Sequence, residues 1–354
     1  MSFELTTRAF AAAVTKTGGG ASLVVYEGDR IVVNLQAGTD ALGRMWTAET
    51  VVQSQSVTKG VLSTALHVLA SRGDVDIDAP VANYWSEFKA QGKERLLVRH
   101  VLNHSAGLHQ MRKRTRSLDD VFDYPKQVEA LAAQRPVYEP GSKHGYHAMT
   151  YGWLAGALLE AVTGLEVREA IRAVLAEPLG TPDLRLACPP EERHRIAPCR
   201  FRFSPVRTSA LPAGSGRLVD DPRCMDVPVP GIGGFFTAHA LATMYAMLAA
   251  GGVWHGRTYL APDAWSRATA VQTTSRDVVL RQKMMWRLGY HGMRLHKGPH
   301  LPGAFGHVGF GGSAAWADPE HGLAAAFTTD RSTQLLDTRV PRLLAALQHD
   351  LKNT

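Results

Sequence analysis

The sequence predicts an α+β (α/β) fold: an antiparallel β-sheet flanked by terminal helices, with an all-helical domain inserted between its strands. Two observations carry this expectation. β-rich runs bounded by turn residues lie near both ends of the chain, and the long middle repeats apolar residues three and four apart. A chain of 354 residues, 45% hydrophobic and 20% charged, supplies a sizeable core and excludes disordered and fibrous folds.

Residues 22–26 and 31–35 are two β-rich runs around Glu27-Gly28-Asp29-Arg30, which reads as a hairpin. The middle then turns helical, with periodic stretches at 57–71, 98–103, 119–133, 151–163, 167–175 and 238–250. Gly73, Gly164 and Gly251 fall just past three of these, where a left-handed C-cap favours a residue without Cβ. Toward the C-terminus, 287–295, 304–317 and 323–329 are again β-rich, the last two separated by Asp318-Pro319-Glu320-His321-Gly322. Leu335, Val340, Leu343, Leu344, Leu347 and Leu351 then form a helical stripe fit to cover a sheet. The expected division is a sheet domain from 1–55 and 285–354 and an inserted helical domain from 56–284, with the active site between them.

Three cysteines, Cys188, Cys199 and Cys224, form an odd set without C-x-x-C spacing and read as reduced thiols of an intracellular protein. Met1 to Leu23 lacks the basic start and unbroken apolar run of a secretory signal, and no window approaches the roughly 18 to 20 apolar residues of a membrane span. A cytoplasmic protein with no membrane partner is expected. The net charge of +7 concentrates in Arg112-Lys113-Arg114 with Arg116, and in Arg193, Arg195, Arg200 and Arg202. Without a nucleic-acid motif or interleaved aromatics these read as solvated loop charge rather than a nucleic-acid surface. His100 with His104, and His291, His296, His300 and His307, lack a carboxylate or thiolate at ligand spacing, so neither a metal site nor a cofactor is expected. Oligomeric state is not legible.

Ser56-Val57-Thr58-Lys59 opens the strongest helical stripe in the chain. Serine and lysine three apart share a helix face, so a neutral Lys59 amine beside the hydroxyl would accept its proton, while the helix N-terminus favours developing negative charge. Spacing alone equally fits a plain N-cap serine. S-x-x-K arises about once by chance at this length, and Ser86-Glu87-Phe88-Lys89 is a second instance, without a periodic helix behind it. There is no G-x-S-x-G elbow of the α/β-hydrolase type.

From here the chain resembles the serine β-lactamase and penicillin-binding-protein family, particularly its class C-like esterase branch, which includes family VIII carboxylesterases. Asp76-Ile77-Asp78-Ala79-Pro80-Val81 is similar to the L-D-x-P-V step, and Val101-Leu102-Asn103-His104-Ser105-Ala106-Gly107-Leu108 to the L-L-x-H-T-S-G-L block. Pro140-Gly141-Ser142-Lys143-His144-Gly145-Tyr146 matches the P-G-[ST]-x-x-x-Y approach to the catalytic tyrosine. Gly233-Gly234-Phe235-Phe236-Thr237 resembles a further block. Phe305-Gly306-His307-Val308-Gly309-Phe310-Gly311-Gly312-Ser313 matches the strand that carries H-x-G in place of K-T-G.

The resemblance implies a β-lactamase/transpeptidase-like fold with Ser56 as acylated nucleophile, Lys59 as proton acceptor or activator and Tyr146 as proton relay. Whether Lys59 or Tyr146 takes the first proton stays open at this level; a phenol of ordinary pKa near ~10 needs a positive field to act as a base. Backbone N–H groups of Ser56 and Phe310 would form the oxyanion hole, with His307 and Gly309 on the substrate wall; alternatively His307 is an internally satisfied strand residue. Phe235, Phe236, Met284, Met285 and Trp286 fit either an acyl pocket or the core.

Two departures bear on the substrate. Tyr146-His147-Ala148 replaces the usual Y-x-N, and His307-Val308-Gly309 replaces K-T-G, so a mostly neutral imidazole stands where a lysine would meet an antibiotic's carboxylate. The expected function is therefore hydrolysis of small carboxylic esters through an acyl-Ser56 intermediate. The alternatives are a β-lactamase or D-Ala-D-Ala carboxypeptidase, an acyltransferase on the same residues, or a basic binding protein on an inactive scaffold.

Overall fold

The computed structural model describes residues 3–111, 115, 117–200, 210–212, 215, 218–219, 221–296, 298–332 and 337–353. In chain order the helices are α1 (Glu4–Thr17), α2 (Val57–Arg72), α3 (Val98–Leu102), α4 (Asp119–Phe122), α5 (Tyr124–Ala132), α6 (Thr150–Thr163), α7 (Val167–Ile171), α8 (Ala238–Ala249), α9 (Pro262–Thr269) and α10 (Arg339–Lys352). The strands are β1 (Ala21–Glu27), β2 (Arg30–Ala37), β3 (Val52–Gln53), β4 (Arg185–Leu186), β5 (Gly234–Phe236), β6 (Val253–Trp254), β7 (Arg257–Thr258), β8 (His291–Arg294), β9 (His300–Val308), β10 (Ala314–Asp318) and β11 (Leu323–Thr329).

Both ends of the chain build one antiparallel sheet in the order β2-β1-β11-β10-β9-β8. β1 lies one strand in from the edge, pairing Leu23 with Phe327 on one side and with Leu35 on the other. Alternation along the strands splits the side chains between two cores. Leu23, Val25, Trp316 and Phe327 meet Phe10, Leu343, Leu344 and Leu347 of α1 and α10, whereas Val24, Tyr26, Ala315, Ala317, Ala324 and Ala326 face the larger core with α2 and α8. The alanines keep that face low, and α8 answers with Ala238, Ala242 and Ala246, so the helix packs directly on β1, β10 and β11. α8 thus covers the sheet although its sequence lies within the predicted helical insertion.

Several elements differ from expectation for local reasons. The 119–133 helix breaks at Asp123, whose carboxylate caps α5 through Lys126 N at 3.1 Å and precedes Pro125. The run at 304–317 is two strands, because Gly309–Ser313 makes a tight turn closed by Gly309 N to Ser313 O at 2.7 Å. The N-terminal helix α1 carries no strong pattern of its own. It is fixed by Asp350 of α10, which accepts from Thr6 Oγ1 at 2.7 Å and Thr6 N at 2.8 Å. α10 keeps the expected stripe from Val340 to Leu347; Leu335 lies outside the described residues. Gly73 and Gly164 take the left-handed conformation at the C-caps of α2 and α6.

α2 departs most from its pattern. Residues from Val57 to Leu69 are buried around the whole circumference, since the helix runs between β9 on one side and α6 and α9 on the other. A one-sided stripe understates such a helix.

Candidate active site

Ser56 sits where β3 turns into α2. Gln55 before it has φ +46°, a left-handed conformation uncommon for a side chain with Cβ. The turn is held on two sides. Ser54 N donates to Gly234 O at 2.9 Å, Gly234 N donates to Thr58 Oγ1 at 3.1 Å, and the Gln55 side-chain oxygen accepts from Gly311 N at 3.1 Å. Through that last bond the turn before Ser56 and the turn after β9 share one buried amide. Gly309 lies so close to Ser54 O that a Cβ there would stand 2.5 Å away, which explains the glycine.

The Ser56 side chain does not cap its helix. Its Oγ instead takes hydrogen bonds from Lys59 Nζ at 3.0 Å and Tyr146 OH at 2.8 Å, so three residues predicted from two separate motifs meet at one oxygen. The plain N-cap alternative is therefore not what the geometry holds. Lys59 is completely buried, and among the described residues its only other hydrogen bond is one donated to Gly231 O at 2.9 Å. No carboxylate among the described residues pairs with it, and burial alone lowers its pKa from 10.5 to about 7. At 1.36 kcal/mol per pKa unit, that drop corresponds to about 5 kcal/mol in favour of the neutral amine.

Burial pushes the Tyr146 phenol well above its ordinary 10; the bond to Ser56 opposes the rise and the nearby Asp277 carboxylate adds to it. The raised pKa favours the protonated phenol. Its ring lies parallel to the Trp286 indole, 5.7 Å between centroids at 7°. His104 packs against both rings at 5.0 and 4.4 Å, and burial holds this imidazole neutral, so its Nδ1 accepts from His147 N at 3.2 Å. The H-T-S-G-like block is thus a floor under Tyr146.

His307 faces the same space from β9. Burial, then His291 and Lys59, hold its pKa well below 6.5. Its Nδ1 lies 3.1 Å from Val308 O, which can only accept, so Nδ1 carries the proton and Nε2 a lone pair. Among the described residues nothing bonds that buried Nε2. At the opposite wall the Ser56 N–H has no acceptor among the described residues, and Phe310, in the turn after β9, is exposed. A hydroxyl flanked by a neutral amine and a phenol, with a backbone N–H open beside it, is equipped for acyl transfer.

Of the residues left between pocket and core, Phe235, Phe236 and Trp286 are buried, and Met284 and Met285 are half-buried. Three contributors escaped the sequence reading: the Gly231 carbonyl, the Gln55 amide and Asp277. Gly231 reaches Lys59 because Gly152 of α6 lets the 230–231 backbone pass at a distance no Cβ would allow. The Val229-Pro230-Gly231 step was the only available hint.

Elsewhere, Arg193 is paired with Asp226 and Arg195 with Asp183, Glu192 and Glu49, which leaves little free charge for an acidic partner. Arg200 donates to Ala41 O. Arg112, Lys113, Arg114, Arg116 and Arg202 lie outside the described residues. Asp318, Glu320 and His321, at the end of β10 and in the turn after it, are the one trio of potential ligand groups within reach of one another among the described residues, and it includes none of the six histidines weighed from the sequence. No described helix is long and apolar enough to cross a membrane.

The beta-lactamase family model matches residues 7–349. The esterase/beta-lactamase LipL of Mycobacterium tuberculosis is 36% identical, over 93% of this chain and 81% of its own. Among solved structures, a family VIII carboxylesterase superposes with a TM-score of 0.88 at 32% identity, covering 98% of this chain and 97% of that one. A penicillin-binding protein homolog from Caulobacter crescentus gives 0.86 at 30%, over the same shares.

Proposed function

The chain belongs to the beta-lactamase family and is a serine ester hydrolase within it, and from that premise we propose that Ser56 is the residue its substrate acylates. The observation that carries the reading is the Ser56 oxygen, held 3.0 Å from a buried lysine that has no counter-ion among the described residues and 2.8 Å from a tyrosine whose pKa is raised.

Neutral Lys59 takes the Ser56 proton as Oγ attacks the ester carbonyl. The resulting oxyanion is held by the N–H groups of Ser56 and Phe310, each worth on the order of 100- to 1,000-fold in rate where such donors have been removed. As the C–O bond to the leaving alcohol breaks, the Tyr146 hydroxyl delivers a proton to the alkoxide and regains one from the Lys59 ammonium. Water then attacks the acyl-enzyme and gives up a proton along the same route in reverse, the carboxylic acid leaves, and Ser56 recovers its hydrogen. The order of bases follows from the two pKa directions: an amine brought down to about 7 is half neutral at that pH, whereas the phenol is pushed up and serves as acid and relay.

Small neutral esters fit this site better than β-lactams. A neutral His307 with a lone pair at Nε2 accepts hydrogen bonds and offers no charge to a substrate carboxylate, and Ala148 stands where an amide-binding asparagine would be. The test is a panel of p-nitrophenyl and alkyl esters beside nitrocefin, on wild type and Ser56→Ala, with a fluorophosphonate label mapped by peptide mass spectrometry. Ester turnover lost in the variant, with label on Ser56, supports the reading. Label on another residue, or nitrocefin turned over as fast as esters, refutes it.

A further inference from the structure

Asp277 is a fully buried carboxylate, and among the described residues no lysine or arginine pairs with it. Burying such a charge costs several kcal/mol unless hydrogen bonds replace its water. Four N–H groups do so. Oδ1 accepts from Val279 N and Leu280 N, both at 2.8 Å, and from Tyr146 N at 3.2 Å, while Oδ2 accepts from the Trp286 indole Nε1 at 3.1 Å. The first two bonds fold the carboxylate's own turn. The other two reach Tyr146 by independent routes: its backbone, and the indole on whose face its ring lies. Val278 N, donating to His144 O at 2.9 Å, fastens the same turn to the segment that leads into Tyr146.

We propose that Asp277 is the positioning residue for Tyr146, clamping its backbone and the indole beneath its ring so that the hydroxyl stays within proton-transfer distance of Ser56 Oγ. The inference rests on Tyr146 being the acid that serves the leaving alcohol. A phenol that swings on an unanchored indole loses alignment with that oxygen, and misplacement of about 1 Å is enough to cost ~100-fold. The proximity has an electrostatic cost, since the Asp277 charge also helps keep Tyr146 protonated; for a proton donor that is the required state.

Leaving groups separate positioning from scaffolding. An alkoxide needs a proton to depart, whereas p-nitrophenolate does not, so a fault at Tyr146 alone penalises ethyl butyrate and spares p-nitrophenyl butyrate. kcat/KM reports the steps through acylation. Asp277→Asn keeps an oxygen for the three backbone donors but turns an amide N–H toward the indole N–H. Trp286→Phe keeps a stacking ring and removes the tether, leaving the loop's backbone bonds intact, and tests the same point if the first variant folds poorly.

Relative to wild type, Tyr146→Phe and Asp277→Asn should each lose about 100-fold in kcat/KM on ethyl butyrate, the scale of a lost general acid, and less than about 5-fold on p-nitrophenyl butyrate. Trp286→Phe should show the same selectivity at about 10-fold. Equal losses on both esters in Asp277→Asn and Trp286→Phe, or none, beside a selective Tyr146→Phe, overturn the inference and leave the role of Tyr146 intact. A Tyr146→Phe variant without leaving-group selectivity overturns both.

Discussion

Ser56-Val57-Thr58-Lys59 and Ser86-Glu87-Phe88-Lys89 space a hydroxyl and an amine identically, yet only one pair sits in an environment that makes the amine a base. Lys59 is sealed in the first turn of α2 and meets Ser56 Oγ at 3.0 Å. Ser86 and Lys89 are exposed on a short 3-10 segment, Ser86–Gly92, that kinks at Ala90 and Gln91, and the Ser86 hydroxyl donates to the neighbouring Glu87 carboxylate at 3.0 Å. Spacing brings the groups onto one face; burial favours the neutral amine, and Tyr146 from another segment supplies the third group, the relay in the proposed mechanism.

The largest effect that separates the two pairs comes from removing the hydroxyls. Ser56→Ala should lower ester turnover by at least about 1,000-fold, as for other activated nucleophiles, while Ser86→Ala should stay within about 2-fold of wild type, the range of an inert surface change. Comparable losses from both would dissolve the contrast. Next in size, Lys59→Met should cost on the order of 100- to 1,000-fold through loss of the base, without lowering the melting temperature, because a buried amine is replaced by an apolar chain of similar length. Lys89→Met should change neither. A marked fall in melting temperature for Lys59→Met would mean that the amine is a structural group and that its activity loss has another origin.

A smaller effect sharpens the comparison at the loop that only the first pair possesses. Gln55→Gly removes the bond from Gly311 N and relieves the left-handed backbone at Gln55, so the fold should be retained while kcat falls about 10-fold with little change in KM. An unchanged kcat would show that the turn after β9 holds its place without the shared amide.

Legibility followed the range of the interactions. Ser56, Lys59 and the approach to Tyr146 sit in short local patterns, and each pattern survives as a string even though Tyr146 joins the other two from a segment 90 residues away. Asp277 left no trace because its role is defined by Tyr146 and Trp286, which an eye running along the chain has no reason to join to it. Gln55 was invisible for a related reason: glutamine in a left-handed turn is a backbone fact, and its partner Gly311 belongs to the opposite end of the chain. In the fold, the hairpin β1-β2 and the stripe of α10 were readable from periodicity and turn residues. The sheet-facing placement of α8 was not, since alanines on two elements say that surfaces approach closely without saying which surfaces.

The most direct test of a burial-activated lysine is the pH dependence of the acylation burst with p-nitrophenyl butyrate. The neutral amine is the active form and its pKa is lowered to about 7, so the burst rate should fall about tenfold per pH unit below that value and level off above it. A half-maximal burst near pH 7 that disappears in Lys59→Met is the predicted result. A rate flat between pH 5.5 and 8, or one still climbing toward the ordinary lysine range near 10, would contradict it.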